Sequence, residues 1–203
     1  MISVPCLRAR GIVPKNWTTQ AEPEDQNVKI ILDHDILELW VQGGDIFLDG
    51  SGGKNSRDPR TRRAGFAWIQ DNEVCGDPNT CIGMYSTLEG YQSVPRAELN
   101  AMISFFTFIA EVDLVPTHYR VHTDNKGVYL GYHKGPIKGY RNHGDLWEKL
   151  WFQYHRCTQK GFTFTIRKVK SRTDEADLEA GTITPAQRHG NDRADHWAGE
   201  AAK

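Results

Sequence analysis

The sequence lacks several features that would narrow its class at once. Its four cysteines, Cys6, Cys75, Cys81 and Cys157, show no paired CxxC spacing, so a zinc site is not expected. They are typical of reduced thiols in an intracellular protein of the nucleus or cytoplasm. No apolar stretch approaches the roughly 20 residues of a membrane span, and residues 1–14 hold no signal-peptide core. We therefore expect no membrane partner.

The chain also has no overall excess of basic residues. Lys plus Arg total 25 and Asp plus Glu total 26, so the net charge does not indicate a polyanionic ligand. The charges are nevertheless uneven: basic residues concentrate between Lys54 and Arg63 and between Lys126 and Arg141. Local patches matter more than the sum when a polyanion binds. The two basic segments are therefore candidate contacts for phosphates.

Two parts of the chain differ in pattern, residues 1–44 and residues 45–203. Prolines interrupt the first part, which we interpret as an N-terminal arm or linker. The second part predicts strands at about 45–49, 63–70, 81–88, 118–123 and 162–169, and helices at about 96–111, from Lys126, at about 145–160 and from Asn191. Residues 171–189 are predicted to be a polar loop. This order predicts an α/β domain with a mixed sheet flanked by helices.

Four carboxylates stand at the ends of predicted strands or the starts of predicted helices. Asp49 closes an apolar strand and Asp124 ends another, whereas Glu98 and Asp195 begin helical patterns. A carboxylate buried at a strand end is costly unless it binds a cation, and hard cations prefer carboxylate oxygens. Any one of the four is also consistent with a surface or capping carboxylate. Together they predict a site for a hard cation.

The motifs around these acids resemble type 1 ribonuclease H, motif by motif and in chain order. They are Asp49-Gly-Ser-Gly, Arg96-Ala-Glu-Leu99, Thr123-Asp-Asn-Lys126 and Gly190-Asn-Asp-Arg-Ala-Asp195, with further matches at Asp145–Leu150 and Lys168–Ser171. The resemblance covers residues 45–203. It implies the ribonuclease H-like fold, a five-stranded mixed sheet of three antiparallel strands followed by two parallel strands, flanked by helices.

This resemblance also implies an activity and a set of catalytic residues. Asp49 would bridge two Mg²⁺ ions, with Glu98 and Asp124 on one side and Asp195 on the other, and Mn²⁺ could substitute. Such a site would hydrolyse the RNA strand of RNA–DNA hybrids and leave 5′-phosphate and 3′-hydroxyl ends. Two ions roughly 3.5–4 Å apart stabilise both the attacking and the leaving oxygen of that reaction.

The match to the family is weakest after the last strand, where a mobile-loop histidine is common. The strand exit reads Lys170-Ser171-Arg172, with arginine in that place, and His189 follows only after an acidic insertion. We expect either that His189 takes the catalytic role from a displaced position or that Arg172 contacts a phosphate. A loop histidine with no role is the remaining alternative.

Substrate contacts are expected near the same motifs and in the basic segments. Backbone amides free of large side chains could approach the RNA strand closely, and bases interleaved with aromatics suit a groove for the DNA strand. The expected contacts are Ser51, Gly52, Gly53, Asn55, Ser93, Lys126, Lys134, Lys138, Arg141 and Arg172. Leu146, Trp147, Leu150 and Trp151 are alternatively one helix face in the core, which we favour for the tryptophans.

The details of the match bear on partners and on rival functions. The Arg-Ala-Glu-Leu motif and the insertions resemble a retroelement ribonuclease H domain more than a free-standing enzyme, which implies a reverse transcriptase in the same polyprotein. We expect a monomer. An integrase-like DNA nuclease core is one rival, disfavoured by the Gly-Ser-Gly-Gly turn and the Gly-Asn-Asp-Arg-Ala-Asp ending. A non-catalytic module of this fold that binds nucleic acid or a protein is another, which only an activity assay excludes.

Overall fold

The computed structural model describes residues 29–30, 40, 42–57, 61–71, 81–136 and 142–203. Within these residues the chain forms six strands and five helices. The strands are β1 (Lys29–Ile30), β2 (Asp45–Ser51), β3 (Gly65–Gln70), β4 (Ile82–Thr87), β5 (His118–Thr123) and β6 (Thr163–Lys168). The helices are α1 (Val94–Glu111), α2 (Lys126–Lys134), α3 (Gly144–Gln159), α4 (Glu175–Glu179) and α5 (Pro185–Ala201).

The strands form one mixed sheet in the order β1-β4-β3-β2-β5-β6. Strands β2, β3 and β4 pair antiparallel, whereas β5 pairs parallel with β2 and β6 parallel with β5. This arrangement confirms the predicted five-stranded mixed sheet. The two-residue strand β1 extends it beside β4, with Lys29 opposite Tyr85.

The two faces of the sheet are covered by different helices. Because successive side chains of a strand point to opposite faces, strand β2 contributes to two clusters. Ile46 and Leu48 pack with α1 in the main core, and Phe47 packs with Ala194 of α5 in a smaller cluster. Helices α1 and α5 therefore lie on opposite faces of the sheet, with β2 between them.

The core also includes Trp40, from the part of the chain that we predicted as an arm. Its ring lies 5.2 Å from that of Phe108 and 6.0 Å from that of Trp68, centroid to centroid. Its indole N–H donates a hydrogen bond of 2.9 Å to the Tyr119 hydroxyl. The division of the chain at residue 45 stays a prediction.

The prediction of a polar loop at residues 171–189 is wrong, because most of these residues are helical. The short helix α4 begins with a reciprocal capping box between Asp174 and Asp177, and Lys170 contacts the Asp177 carboxylate at 2.6 Å. Helix α5 begins at Pro185 rather than near Asn191, with Thr184 as its N-cap. Capping and proline at the first helical position stabilise helix starts that apolar periodicity does not reveal.

Several smaller expectations can be compared with the described residues. Leu146, Trp147 and Leu150 are buried, and Trp151 packs partly against the main core, which confirms the core interpretation of this helix face. Cys81 and Cys157 are free, buried thiols; Cys6 and Cys75 lie outside the described residues. None of the described helices combines the length and the apolar character that crossing a membrane requires.

Candidate active site

Three of the predicted metal ligands meet at one end of the sheet. Asp49 lies on β2, Glu98 on α1, and Asp124 directly follows β5. Leu48 pairs with Thr123 in the parallel ladder between β2 and β5, so the next residues, Asp49 and Asp124, are neighbours. One carboxylate oxygen from each of the three acids lies within 4.8 Å of the others. The strand order thus brings together residues far apart in the sequence.

Glu98 reaches this group because helix α1 begins almost in contact with strand β2. A β-carbon at Gly50 would stand 2.5 Å from the Glu98 backbone nitrogen and 2.8 Å from the Ala97 carbonyl carbon. These are backbone atoms, so no side-chain rotation could relieve the overlap. Glycine after Asp49 is therefore what permits the close approach of Glu98.

Asp195 joins the group from the other face of the sheet, on helix α5. This helix approaches β2 closely because Gly190 lies against the Phe47 ring, where a β-carbon would overlap it. The Asp195 side chain is exposed to solvent, yet a hydrogen bond to Asp49 and its charge both raise the pKa of Asp49. All four predicted carboxylates are therefore in electrostatic contact.

The crowding of these acids disfavours their charged forms. Burial raises the pKa of Asp49 well above its usual value, and the charges of Asp124 and Asp195 add to the effect. Burial and the charges of Asp49 and Asp124 likewise raise the pKa of Glu98 well above its usual value. The pKa of Asp124 is also raised, chiefly by burial. Like charges held this close favour protonation until a cation neutralises them.

The site fits a hard divalent cation. Glu98 is 4% exposed, and its Oε2 atom is buried without a hydrogen-bond partner among the described residues. A buried carboxylate oxygen with no donor is costly unless a cation binds it. All four side chains offer carboxylate oxygens, the donors that Mg²⁺ and Mn²⁺ prefer.

Solved structures share this architecture. LC11-RNase H1, isolated from compost by a metagenomic approach, matches with a TM-score of 0.52 and 18% identity, over 80% of this chain and 96% of its own. The solution structure of the PFV RNase H domain matches with a TM-score of 0.51 and 14% identity, over 81% and 97%. This chain has the ribonuclease H fold. No protein-family model and no curated protein matches the sequence.

A further match concerns a nucleic-acid complex of the same fold. The structure of LC11-RNase H1 in complex with RNA/DNA hybrid has a TM-score of 0.51 and 18% identity, over 78% of this chain and 95% of its own. The ribonuclease H fold implied by the four motifs is thereby confirmed.

Two further residues next to the carboxylates, Asn125 and Lys168, belong to the matched motifs but were not predicted to act in the site. The polar Asn125 side chain opposes the rise in the pKa of Glu98. The Lys168 charge similarly opposes the rise in the pKa of Asp124. The position of Lys168 follows from the parallel pairing of β5 with β6, in which it lies opposite Thr123. The pairing register of β5 with β6 is the signal that could have identified Lys168.

His189 does not lie in a loop, so its predicted position is wrong. It belongs to helix α5, and its Nδ1 atom lies 2.8 Å from an Asp71 carboxylate oxygen. It precedes Asp195 by six residues, a distance of about 9 Å along the helix axis. The physical reason is the capping of α5 at Thr184, which starts the helix upstream of His189. A catalytic role for His189 stays a prediction.

Several of the residues expected to contact substrate lie near the carboxylates. Ser51, Gly53 and Asn55 line a cleft of about 680 Å³ that also contains Asp195. The Ser93 hydroxyl, at the N-cap of α1, is buried and has no partner among the described residues. Gly52 is buried beside Ser56 and Val94, Lys126 begins α2 two residues after Asp124, and Lys134 ends the same helix.

Of the three other predicted contacts, one lies on the surface and two lie outside the described residues. Arg172 is exposed just beyond β6 and has a positive φ of 51°, a conformation uncommon for a residue with a side chain. Lys138 and Arg141 lie outside the described residues. The predicted contact of each with nucleic acid stays a prediction.

Proposed function

We propose that this protein is a metal-dependent endonuclease that hydrolyses the RNA strand of RNA–DNA hybrids. The observation that carries the proposal is the convergence of Asp49, Glu98 and Asp124, with Asp195 beside Asp49 and with Glu98 Oε2 buried and without a partner among the described residues. The ribonuclease H fold supports it, and a similar structure, LC11-RNase H1, is in complex with RNA/DNA hybrid.

The four carboxylates are the residues that would hold the ions. Asp49, central in the group, would contact both of two Mg²⁺ or Mn²⁺ ions, with Glu98 and Asp124 on one side and Asp195 on the other. When bound, such a pair activates the attacking water and stabilises the leaving oxygen. The products would be a 5′-phosphate and a 3′-hydroxyl, since water attacks phosphorus and the bond to the 3′-oxygen breaks.

The chain's own residues prepare this site before ions arrive. Asn125, which also caps helix α2 through its side-chain oxygen, favours the charged form of the Glu98 carboxylate. The raised pKa values of Asp49 and Glu98 mean that ions must compete with protons for these oxygens. Metal binding should therefore release protons and weaken at low pH.

Recognition of the hybrid would depend on groups on both sides of the quartet. Distinguishing RNA from DNA requires hydrogen bonds to 2′-hydroxyls. The backbone of Ser51 to Gly53 and the Asn55 side chain would make them, since Ser51, Gly53 and Asn55 line the same cleft as Asp195. The buried Ser93 hydroxyl offers a further donor. Lys126 would contact a phosphate of the strand being cleaved, and Lys134, Lys138 and Arg141 would contact phosphates of the DNA strand.

One cleavage gel tests the proposal. Labelled RNA–DNA hybrid, duplex DNA, duplex RNA and single strands are each incubated with Mg²⁺, Mn²⁺ or chelator. We expect metal-dependent cleavage of the RNA strand of the hybrid alone, and none by Asp49→Asn or Asp124→Asn. A protein that binds hybrid but cleaves it with neither metal would instead be a non-catalytic module. A monomeric state and a reverse transcriptase in the same polyprotein stay predictions.

A further inference from the structure

A second cluster of charged side chains lies on helix α5, away from the carboxylate quartet. Asp71 directly follows β3, and its side chain is 6% exposed. One of its oxygens lies 2.8 Å from His189 Nδ1, and the other accepts a hydrogen bond of 3.1 Å from Arg193 Nη1. Both oxygens of one buried carboxylate thus contact residues one turn apart on the same helix.

One turn after Arg193, Trp197 contacts the sheet from the same side of helix α5. Its ring lies 5.1 Å from the Tyr85 ring on β4, centroid to centroid, and it packs against the small buried cluster that contains Cys81. His189, Arg193 and Trp197 are spaced four residues apart, so they form one row along the helix. This row attaches α5 to strands β3 and β4.

Asp195 lies on the opposite flank of the helix from this row. Successive residues are separated by about 100° around an α-helix, which places Asp195 about 200° from Arg193. Asp49 points to the face of the sheet that α5 covers, as Phe47 does two residues earlier, and the exposed Asp195 side chain has to reach it there. Because a side chain extends about 6 Å from the helix axis, a rotation of about 20° would displace the carboxylate by about 2 Å. Displacements of this size are large for a catalytic group.

We propose that Asp71 is a positioning residue for Asp195: by holding Arg193 and His189, it fixes the rotation of helix α5 and so aims Asp195 at the metal site. The inference rests on the proposed function, since it takes Asp195 as a metal ligand. Asp71 acts through the helix. It follows Gln70, which pairs with Ile46, and Ile46 precedes Asp49 on β2 by about 10 Å.

The test compares three variants by titration calorimetry with Mn²⁺ alone, without substrate. Asp71→Asn keeps the shape of the side chain and removes the charge that holds both partners. We expect its Mn²⁺ affinity to fall about tenfold, the lower end of the loss typical when support for a metal ligand is removed. Asp71→Glu should recover part of this affinity. Glu175→Gln is the matched control, because it removes a surface contact of 2.6 Å to Arg188 on the same helix and should leave affinity unchanged.

A second readout separates positioning from a purely structural role. In hybrid cleavage by Asp71→Asn, the Mn²⁺ concentration for half-maximal rate should rise by the same factor, while KM for the hybrid stays as in wild type. A variant that melts at a lower temperature but binds Mn²⁺ with wild-type affinity would overturn the proposal. If circular dichroism shows that Asp71→Asn does not fold, His189→Gln is measured in its place. Its side chain is half-exposed, weaker Mn²⁺ binding is expected, and wild-type affinity is the contrary result.

Mn²⁺ binding and hybrid cleavage by the wild-type protein distinguish a failure of this inference from a failure of the proposed function. A wild-type protein that binds no Mn²⁺ and cleaves no hybrid overturns the proposed function and this inference with it. A wild-type protein that binds Mn²⁺ and cleaves hybrid, beside an Asp71→Asn variant with equal Mn²⁺ affinity, overturns this inference alone.

Discussion

Gly50 lies directly against the backbone nitrogen of Glu98, so that a β-carbon at residue 50 would stand 2.5 Å from that nitrogen. The contact joins strand β2 to helix α1 near the start of the helix. Asp49 precedes Gly50 in the chain, so the same contact sets the separation of two carboxylates of the quartet. Packing and the geometry of the proposed metal site are therefore coupled at one residue.

Replacing Gly50 with alanine tests this coupling. The added methyl group meets backbone atoms, so helix α1 has to move outward and Glu98 moves with it. We expect the free energy of unfolding to fall by about 1–3 kcal/mol, the usual cost of overpacking, and Mn²⁺ affinity to fall as well. Urea unfolding and calorimetry measure the two effects. Gly144→Ala is the control, since a β-carbon there meets nothing within 4 Å; equal behaviour of the two variants would contradict the coupling.

The metal-free protein should show the repulsion among the carboxylates as a pH dependence of stability. Because the pKa of Asp49 is raised in the folded state, its contribution to stability is complete below its unfolded pKa of about 3.9 and is lost as the pH rises through the folded pKa. Asparagine cannot ionise. In chelator, Asp49→Asn should therefore melt close to wild type near pH 4 and above it near pH 7.

The same melting experiment in saturating Mn²⁺ supplies its control. Wild type should then gain stability by binding the ion, so that the advantage of Asp49→Asn shrinks or reverses. A constant difference between the two proteins across pH, with and without Mn²⁺, would show that Asp49 bears no repulsion.

Much of the fold could be predicted because its signals are local. The five long strands are short apolar or alternating segments, and α1 shows helical periodicity along its length. The short helix α4 was not predicted. A capping box at Asp174 and Asp177 marks its start, and its five residues are too few to show a helical period. Strand β1 was not predicted either, because two residues cannot show an alternating pattern. Its pairing partner, Tyr85 on β4, lies far along the chain.

The candidate site likewise has residues that local sequence patterns predict and contacts that only the tertiary structure reveals. Asp49 and Asp124 could be placed together because parallel strands end at the same edge of a sheet, and motif order supplied Glu98 and Asp195. The contact of Asp71 with His189 joins residues 118 apart. No spacing rule connects such residues, so sequence could not reveal that His189 has a buried carboxylate as its neighbour.

Salt dependence tests the predicted contacts with the DNA strand. Replacing Lys134, Lys138 and Arg141 together by alanine should flatten the fall of hybrid affinity with ionic strength. Each lost phosphate contact should reduce the log–log slope by about 0.9, the value for a B-form duplex. Lys160→Ala is the control, because Lys160 follows α3 and donates to the Val112 carbonyl. A slope equal to that of wild type in the triple variant would show that this surface is only solvated.

Turnover of His189→Ala decides between two roles for that histidine. Because Asp71 contacts its Nδ1 atom, we expect hybrid cleavage at saturating Mn²⁺ to stay near the wild-type rate with an unchanged pH profile. A loss of 10²–10⁴-fold, typical of a general acid or base, together with a missing limb of the profile, would support the catalytic role instead.

Arg172→Ala addresses the other candidate for the place of the family histidine. If the exposed Arg172 side chain contacts a phosphate, its loss should weaken hybrid binding and leave the pH profile as in wild type. Filter binding at several salt concentrations measures this effect. Unchanged affinity at every concentration would remove Arg172 from the substrate contacts.

Trp40 contributes to the core although it precedes the first long strand. A fragment that starts at Asp45 would lack the indole that packs against Trp68 and Phe108 and donates to Tyr119. Removing a buried aromatic side chain costs about 3–5 kcal/mol, a large share of the stability of an ordinary domain. A stable fragment of this fold, whether released by proteolysis or expressed from a truncated gene, therefore has to begin upstream of Trp40.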